Sequence, residues 1–182
     1  LLAAPYVCSG LNDLFAGIWL SIYNIKRGRM AEVWQCLKTR PGQMIVLGSL
    51  LGGPVANGAY LVGLALAGAY AIPISATCSL FGAIFSWIFL KQRPTKRVVA
   101  GMIICVSGAI IINWVEPEGT KNFTLGIICA LIAAICWGLE GMFSSSSGEE
   151  LEPEISVNLR ELISGIVDLA IIVPAVKALS LL

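Results

Sequence analysis

The feature that most constrains the fold is a series of apolar blocks, each long enough to cross a membrane as a helix. The hydrocarbon core of a bilayer is about 30 Å thick, which requires roughly 20 helical residues. Only 13% of the 182 residues are charged, whereas soluble domains are about a quarter charged. The sequence therefore predicts an all-α polytopic membrane protein with six transmembrane helices. These spans, labelled A to F, cover about 3–25, 43–66, 68–90, 97–115, 123–146 and 155–182.

The linkers between the spans predict the orientation of the chain. The Lys and Arg residues number five between A and B, none between B and C, four between C and D, and one between D and E. Because cytoplasmic loops are enriched in Lys and Arg, the A–B and C–D linkers are predicted to lie in the cytoplasm. The E–F linker should then be cytoplasmic as well, although its sequence, 145-SSSGEELEPE-154, is acidic.

The composition counts against several classes of function. The chain has no histidine, which is the commonest metal ligand and general base. Its six cysteines form no C-x-x-C pair, and the Cys, Asp and Glu residues show no nucleophile–base or metal-ligand spacing. We therefore predict no catalytic residue, no metal and no cofactor. A net charge of +1 without a basic tract gives no reason to expect nucleic acid as a partner.

Two stretches of the chain resemble each other: 5-PYVCSGLNDLFAGI-18 in span A and 153-PEISVNLRELISGI-166 in span F. They share five identical residues in fourteen, and Asp13 corresponds to Glu161. Five predicted spans lie between their starts, and an odd number makes the second copy enter the membrane from the opposite side. Inverted copies that hold a substrate between them are typical of secondary transporters. The similarity between the two stretches therefore predicts an inverted-repeat (5+5) helical bundle.

Three further stretches carry a resemblance to a known family. The stretch 71-AIPISATCSLFGAIFSWIFLKQRPTKRVVAGMIICVSGAIIIN-113 joins a proline-containing apolar helix to a helix with glycines at positions 101 and 108. The stretch 125-LGIICALIAAICWGLEG-141 contains a Trp-Gly pair, and 158-NLRELISG-165 contains an arginine. In these features the chain resembles the EamA-like permeases of the drug/metabolite transporter superfamily. It departs from their pattern at Gln92-Arg93-Pro94, which replaces an acidic corner, and at Asn12, which replaces an arginine.

The resemblance implies a domain organisation and a function. Residues 1–115 would form most of the first repeat, 116–122 a linker, and 123–182 the start of the second repeat. Spans A to F would then be helices two to seven of ten. The implied function is a permease that moves a small metabolite or drug-like molecule by alternating access across the plasma (inner) membrane of a prokaryote. A membrane-embedded enzyme and a non-transporting membrane scaffold are the alternatives.

The resemblance also implies the partners. A small-molecule substrate and membrane lipid are expected. A proton or another coupling ion, and a homodimer, are left open.

Ionisable residues inside the apolar spans are candidates for the substrate cavity. A charge near the membrane centre costs about 2.5–3.5 kcal/mol and requires a partner. With a rise of 1.5 Å per residue, Glu140 and Arg160 fall at similar depths near the cytoplasmic edge, which predicts an ion pair between them. The alternative is that both side chains extend to the headgroups. Asp13 is the candidate near the midplane, Asp168 lies deeper than Arg160 in span F, and proton coupling through one of these carboxylates is left open.

Span B offers a second set of candidates. Asn57 and Tyr60 lie three residues apart, on one face of a helix, beside Pro54. An amide and a phenol can bind a polar substrate or can form hydrogen bonds between helices. Trp137, well inside span E, is expected to pack against neighbouring helices or to line a cavity.

Overall fold

The computed structural model describes residues 3–112, 122–148 and 151–175. Every regular element in these residues is helical, as the sequence predicts. The described residues form two compact units. Unit 1 contains the chain up to Pro54 and from Phe143 onwards, and unit 2 contains Val55–Met142. Each unit therefore combines residues from both predicted repeats.

Unit 1 is built on two long helices and a short helical connection. A π-helix, in which the backbone hydrogen bonds are one residue longer than in an α-helix, interrupts the chain at two places. The elements are α1 (Ala3–Lys26), α2 (Met30–Cys36), α3 (Arg40–Leu50), π1 (Leu51–Ala56), α9 (Pro153–Val167) and π2 (Asp168–Ile172). The last turn of α8 also belongs to this unit.

Unit 2 contains the other helices of the described chain. They are α4 (Asn57–Ala67), α5 (Ala71–Ser75), α6 (Cys78–Leu90), α7 (Lys96–Ile112) and α8 (Phe123–Gly148) up to Met142. A single 3₁₀ turn, Gly68–Tyr70, separates α4 from α5. Gly68 has a φ of 58°, and glycine adopts positive φ without the steric cost that a Cβ imposes.

The predicted spans agree with the helices over most of their length. Span A is α1, span B is α3 with π1 and α4, and span E is α8. Span C is wrong as a single helix, because it begins in the 3₁₀ turn Gly68–Tyr70 and a second turn at residues 76–77 divides it. Span D is α7 up to Ile112, and span F is helical up to residue 175. The ends of these two predictions, 113–115 and 176–182, lie outside the described residues.

A proline explains one of the places where the helices depart from regular geometry. Pro54 lies inside π1, where its missing N–H removes one backbone hydrogen bond. Pro54 therefore accounts for the loosened backbone hydrogen bonding of π1.

Within the described residues, two helical stretches are both long and apolar enough to cross a membrane. They are Arg40–Ser75 and Phe123–Ser147. The count of six membrane spans stays a prediction.

The core of unit 1 lies where α2 and α3 meet the start of α9. Its buried apolar residues are Val33, Cys36, Ile45, Ile155 and Leu159. Thr39 caps α3, because its hydroxyl oxygen accepts a hydrogen bond from the backbone N–H of Gly42 at 3.3 Å. This cap turns the chain back so that α3 packs along α9.

Small residues bring the helices of unit 2 into close contact. A Cβ at Gly63 would lie 3.0 Å from the backbone of Ala130, and one at Gly126 would lie 2.7 Å from Ala67. Gly138 packs equally closely against α6. Lipid provides little hydrophobic driving force between helices, so close backbone approach supplies much of the packing energy.

Candidate functional site

The two stretches that resemble each other in sequence pack directly against each other in unit 1. Contacts that advance along α1 retreat along α9 and π2, so the two helices are antiparallel. In order along α1, the contacts are Gly10 with Leu169, Leu14 with Gly165, and Gly17 with Leu162. The missing Cβ atoms of three glycines provide the space, since a Cβ at any of them would lie within 3.0 Å of the opposing helix.

The sequence similarity between the two stretches relates these contacts in pairs, so that each contact has a counterpart between the equivalent residues. This similarity makes Leu14 equivalent to Leu162, and Gly17 equivalent to Gly165. The contact of Gly17 with Leu162 therefore has the contact of Gly165 with Leu14 as its counterpart. Isologous contacts of this kind are what a two-fold axis produces.

A second pair of contacts is exchanged in the same way. Gly10 is equivalent to Asn158, and Ser21 is equivalent to Leu169. Gly10 lies against Leu169, and the Ser21 hydroxyl lies 3.0 Å from Oδ1 of Asn158. The two ends of the helix pair thus use equivalent positions, with a polar contact at one end and an apolar contact at the other.

Asp13 forms a hydrogen bond across the centre of this helix pair. The hydroxyl of Ser164 donates to Oδ2 of Asp13 at 2.7 Å. Gly53 in π1 makes room for this serine, because a Cβ at position 53 would lie 2.2 Å from the Ser164 oxygen. The structure therefore gives the predicted midplane carboxylate a specific donor on the opposite helix.

Asp168 begins π2 and is fully buried. Neither of its carboxylate oxygens has a hydrogen-bond partner among the described residues. Asp13 and Tyr6 lie close enough to interact with its charge. The Tyr6 hydroxyl itself lies 3.3 Å from the carbonyl oxygen of Pro54, to which it donates.

Arg160 contacts its neighbour in sequence. Its Nη1 lies 3.0 Å from Oε1 of Glu161. The predicted partner, Glu140, belongs to unit 2, whereas Arg160 belongs to unit 1. The Glu140–Arg160 pair therefore stays a prediction.

Ionic contacts join the end of α1 to the start of α9. Arg29 contacts both Glu152 and Glu32, and the Tyr23 hydroxyl donates to Oε1 of Glu154 at 3.3 Å. The hydrogen bond from Arg29 lowers the pKa of Glu152 below its ordinary value, and the same contact raises the pKa of Arg29. Glu152 and Glu154 of the E–F linker thus lie beside cationic residues that follow α1.

Two aromatic candidates meet in unit 2. The rings of Tyr60 on α4 and Trp137 on α8 have centroids 5.4 Å apart, with their planes at 50°. Glu140 is buried one turn after Trp137, with 7% of its surface exposed. Asn57 begins α4, one turn before Tyr60. Unit 2 therefore presents two aromatic rings, an amide and a carboxyl on two packed helices.

Known proteins are similar to this chain in sequence. Residues 3–114 match the EamA-like transporter family. The chain belongs to this family. It is also 34% identical over 101 residues to Protein LicB of Haemophilus influenzae. That alignment covers 54% of this chain and 34% of LicB, so the chain spans about a third of the length of this curated relative.

Membership of the EamA-like family agrees with the observed helices. The family consists of integral-membrane transporters rather than enzymes, and the two long apolar helices of the described chain fit a membrane location. In the described part of this EamA-like chain, no group of three or more Cys, Asp or Glu side chains is arranged to hold a metal ion.

Sequence reasoning missed several polar residues of the α1–α9 contact. Ser21, Asn158 and Ser164 form its hydrogen bonds, and none of them was a candidate. A signal was present in the spacing, because small and polar residues recur along one face of α1. These residues are Gly10, Asp13, Gly17, Ser21 and Asn24.

Proposed function

We propose that this EamA-like chain is part of a secondary transporter, a permease that moves a small metabolite or drug-like molecule by alternating access. The membrane would be the plasma (inner) membrane of a prokaryote, where the predicted orientation places the basic A–B linker in the cytoplasm. The repeats would be residues 1–115 and 123–182, joined by the linker 116–122.

The exchanged contacts of α1 and α9 are the observation that carries this proposal. Two copies threaded through the membrane in opposite senses are related by a two-fold axis in the membrane plane. Equivalent helices that meet at such an axis run antiparallel and make each contact twice. The Gly17–Leu162 and Gly165–Leu14 contacts behave in this way. A two-fold related pair can favour either side of the membrane equally, which is the requirement for alternating access.

The aromatic pair of unit 2 is the proposed substrate contact. Binding sites for small molecules combine apolar and aromatic walls with a few polar groups that orient the ligand. Tyr60 and Trp137 supply such walls, and Asn57 and Glu140 supply the polar groups. In unit 1, Asp13 and Arg160 are the further cavity candidates.

Transport by the full-length protein tests this function. Purified protein in proteoliposomes would be supplied with labelled amino acids, nucleosides or sugar phosphates. We expect one class to accumulate above the level in protein-free liposomes. Failure of every class to do so, with folded protein in the membrane, would leave a non-transporting scaffold as the better description.

A matched pair of tryptophan variants tests the site. Trp137→Ala removes one of the two aromatic walls proposed for the substrate. Loss of an aromatic contact with the substrate, worth about 0.5–1.5 kcal/mol, should raise the KM about 2- to 10-fold. Trp87→Ala removes an exposed ring in the same unit and should leave the KM unchanged. Equal KM values for the two variants would exclude the aromatic pair from the site.

A further inference from the structure

Asp168 is an ionisable side chain that is not part of the substrate site proposed above. It lies at the start of π2 and is fully buried. Both carboxylate oxygens lack a hydrogen-bond partner among the described residues. An ionised carboxylate in such a place is costly, because no side chain in the described part of the chain donates a hydrogen bond to it. Burial of this kind favours the form of a carboxyl group that carries a proton.

The groups around Asp168 support the same conclusion. The elements packed against π2 are α1 and α9. On α1, the titratable groups that interact with Asp168 are Asp13 and Tyr6. On α9, the charged residues Arg160 and Glu161 form an ion pair with each other. Within the residues that the structure describes, the charged side chain that acts on Asp168 is Asp13, which has the same sign.

Asp13 and Asp168 are not equivalent. Asp13 receives a hydrogen bond from Ser164 at 2.7 Å. Asp168 receives none within the described chain. The geometry therefore makes Asp168, rather than Asp13, the buried carboxyl group without a polar partner among the described residues.

The backbone at Asp168 is already irregular. π2 begins at this residue, and π-helical turns within α-helices are frequent at functional sites. Gly10 faces it from α1, where a Cβ would lie 3.0 Å from the Asp168 Cβ. The carboxyl is consequently covered by the close packing of α1 against π2.

We propose that Asp168 is the site that binds the proton coupled to substrate movement. This inference rests on the proposed transport function. When α1 and π2 separate towards one side, a carboxylate oxygen of Asp168 takes a proton from water. The carboxyl remains neutral while the contact is closed, and it releases the proton as H⁺ when the contact opens to the other side.

The test uses the full-length protein in proteoliposomes with an imposed pH gradient. Asp168→Asn keeps the shape of the side chain and cannot carry the proton. We expect it to lower gradient-driven accumulation at least tenfold, whereas exchange of labelled for unlabelled substrate at equal pH, which requires no net proton movement, persists. Glu32→Gln, a change at an exposed carboxylate outside the helix pair, is the control and should retain both activities. Full accumulation by Asp168→Asn would overturn the proposal, as would accumulation that follows a sodium gradient and ignores pH.

Two further measurements keep the proposal testable if Asp168→Asn does not fold or if no substrate is found. Asp168→Glu retains a carboxyl in a shifted position, so accumulation should persist with a displaced pH profile, and an unchanged profile would contradict the proposal. Infrared spectroscopy of the purified wild-type protein at neutral pH should show the carbonyl stretch of a protonated carboxyl, which Asp168→Glu shifts in frequency. This band requires no transport. Its absence from the wild-type protein would overturn the assignment of Asp168 independently of the proposed function.

Discussion

Both units pack helices closely at glycines, but unit 1 also joins its two long helices with hydrogen bonds between side chains. In unit 1, hydrogen bonds join α1 to α9, and they include the Asp13–Ser164 bond. In unit 2, the close contacts are made by glycines such as Gly126 and Gly138, which lie against the opposing backbone. Close packing of small residues is favourable in lipid, whereas buried polar groups are costly unless they serve a function. The contrast indicates that the helix pair of unit 1 carries polar contacts that close packing alone does not require.

The largest change in the free energy of unfolding is expected when a side chain is added at a tightly packed glycine of unit 2. A Cβ at Gly138 would lie 2.6 Å from the Phe81 Cβ and 2.9 Å from the Gly82 nitrogen. Gly138→Ala should therefore lower the free energy of unfolding by about 1–3 kcal/mol, the usual cost of overpacking. Thermal unfolding of the purified full-length protein in detergent measures it.

Gly141→Ala provides the control in the same helix, one turn further on. A Cβ at Gly141 would contact nothing within 4 Å, and alanine favours a helix by up to about 1 kcal/mol over glycine. This variant should be as stable as the wild-type protein or more stable. Equal destabilisation by both changes would show that the close contact at Gly138 is not the cause of the loss.

A smaller effect is expected from the polar contact at one end of the α1–α9 pair. The Ser21 hydroxyl lies 3.0 Å from Oδ1 of the fully buried Asn158. A double-mutant cycle of Ser21→Ala and Asn158→Ala should give a coupling free energy of about 0.6 kcal/mol, typical of hydrogen bonds between membrane helices. A cycle that pairs Asn158→Ala with Ser107→Ala, a serine bonded within its own helix, should give no coupling. Coupling in both cycles would mean that the contact is not specific.

Much of the helical architecture could be predicted from the sequence, because apolar length determines where a chain can cross a membrane. Span C shows the limit. Its apolar residues continue on both sides of residues 76–77, so apolar length alone did not reveal the turn there.

The candidate sites show a similar division. Tyr60 and Trp137 were each predicted from their positions in spans B and E, whereas their contact depends on the packing of α4 against α8. Asp168 was recognised as deep within span F. Its burial became visible only with α1 in place, because Gly10 closes the space beside it.

The smallest effect is expected from the ionic contacts between the end of α1 and the start of α9. Arg29 lowers the pKa of Glu152 from its ordinary value of 4.5, so the ionised glutamate favours the folded state. This contribution is fully present above pH about 4.5, and it is lost as the pH falls through the lowered pKa of the folded protein.

The pH dependence of unfolding checks this contact. Between pH about 4.5 and more acidic values, the wild-type protein should lose slightly more stability than Glu152→Gln, and the difference should shrink in high salt because the pair is exposed. Identical pH profiles for the two proteins would show that the contact contributes nothing.

Paired cysteines test the antiparallel, two-fold related packing of α1 and α9 most directly. In a cysteine-free full-length protein, the pairs Ser21→Cys with Asn158→Cys and Gly10→Cys with Leu169→Cys should both form disulfides, because these positions face each other. The crossed pairs, Gly10→Cys with Asn158→Cys and Ser21→Cys with Leu169→Cys, would be separated by eleven helical residues, or about 16 Å, and should form none. Disulfides in the crossed pairs, with none in the facing pairs, would contradict the inverted arrangement.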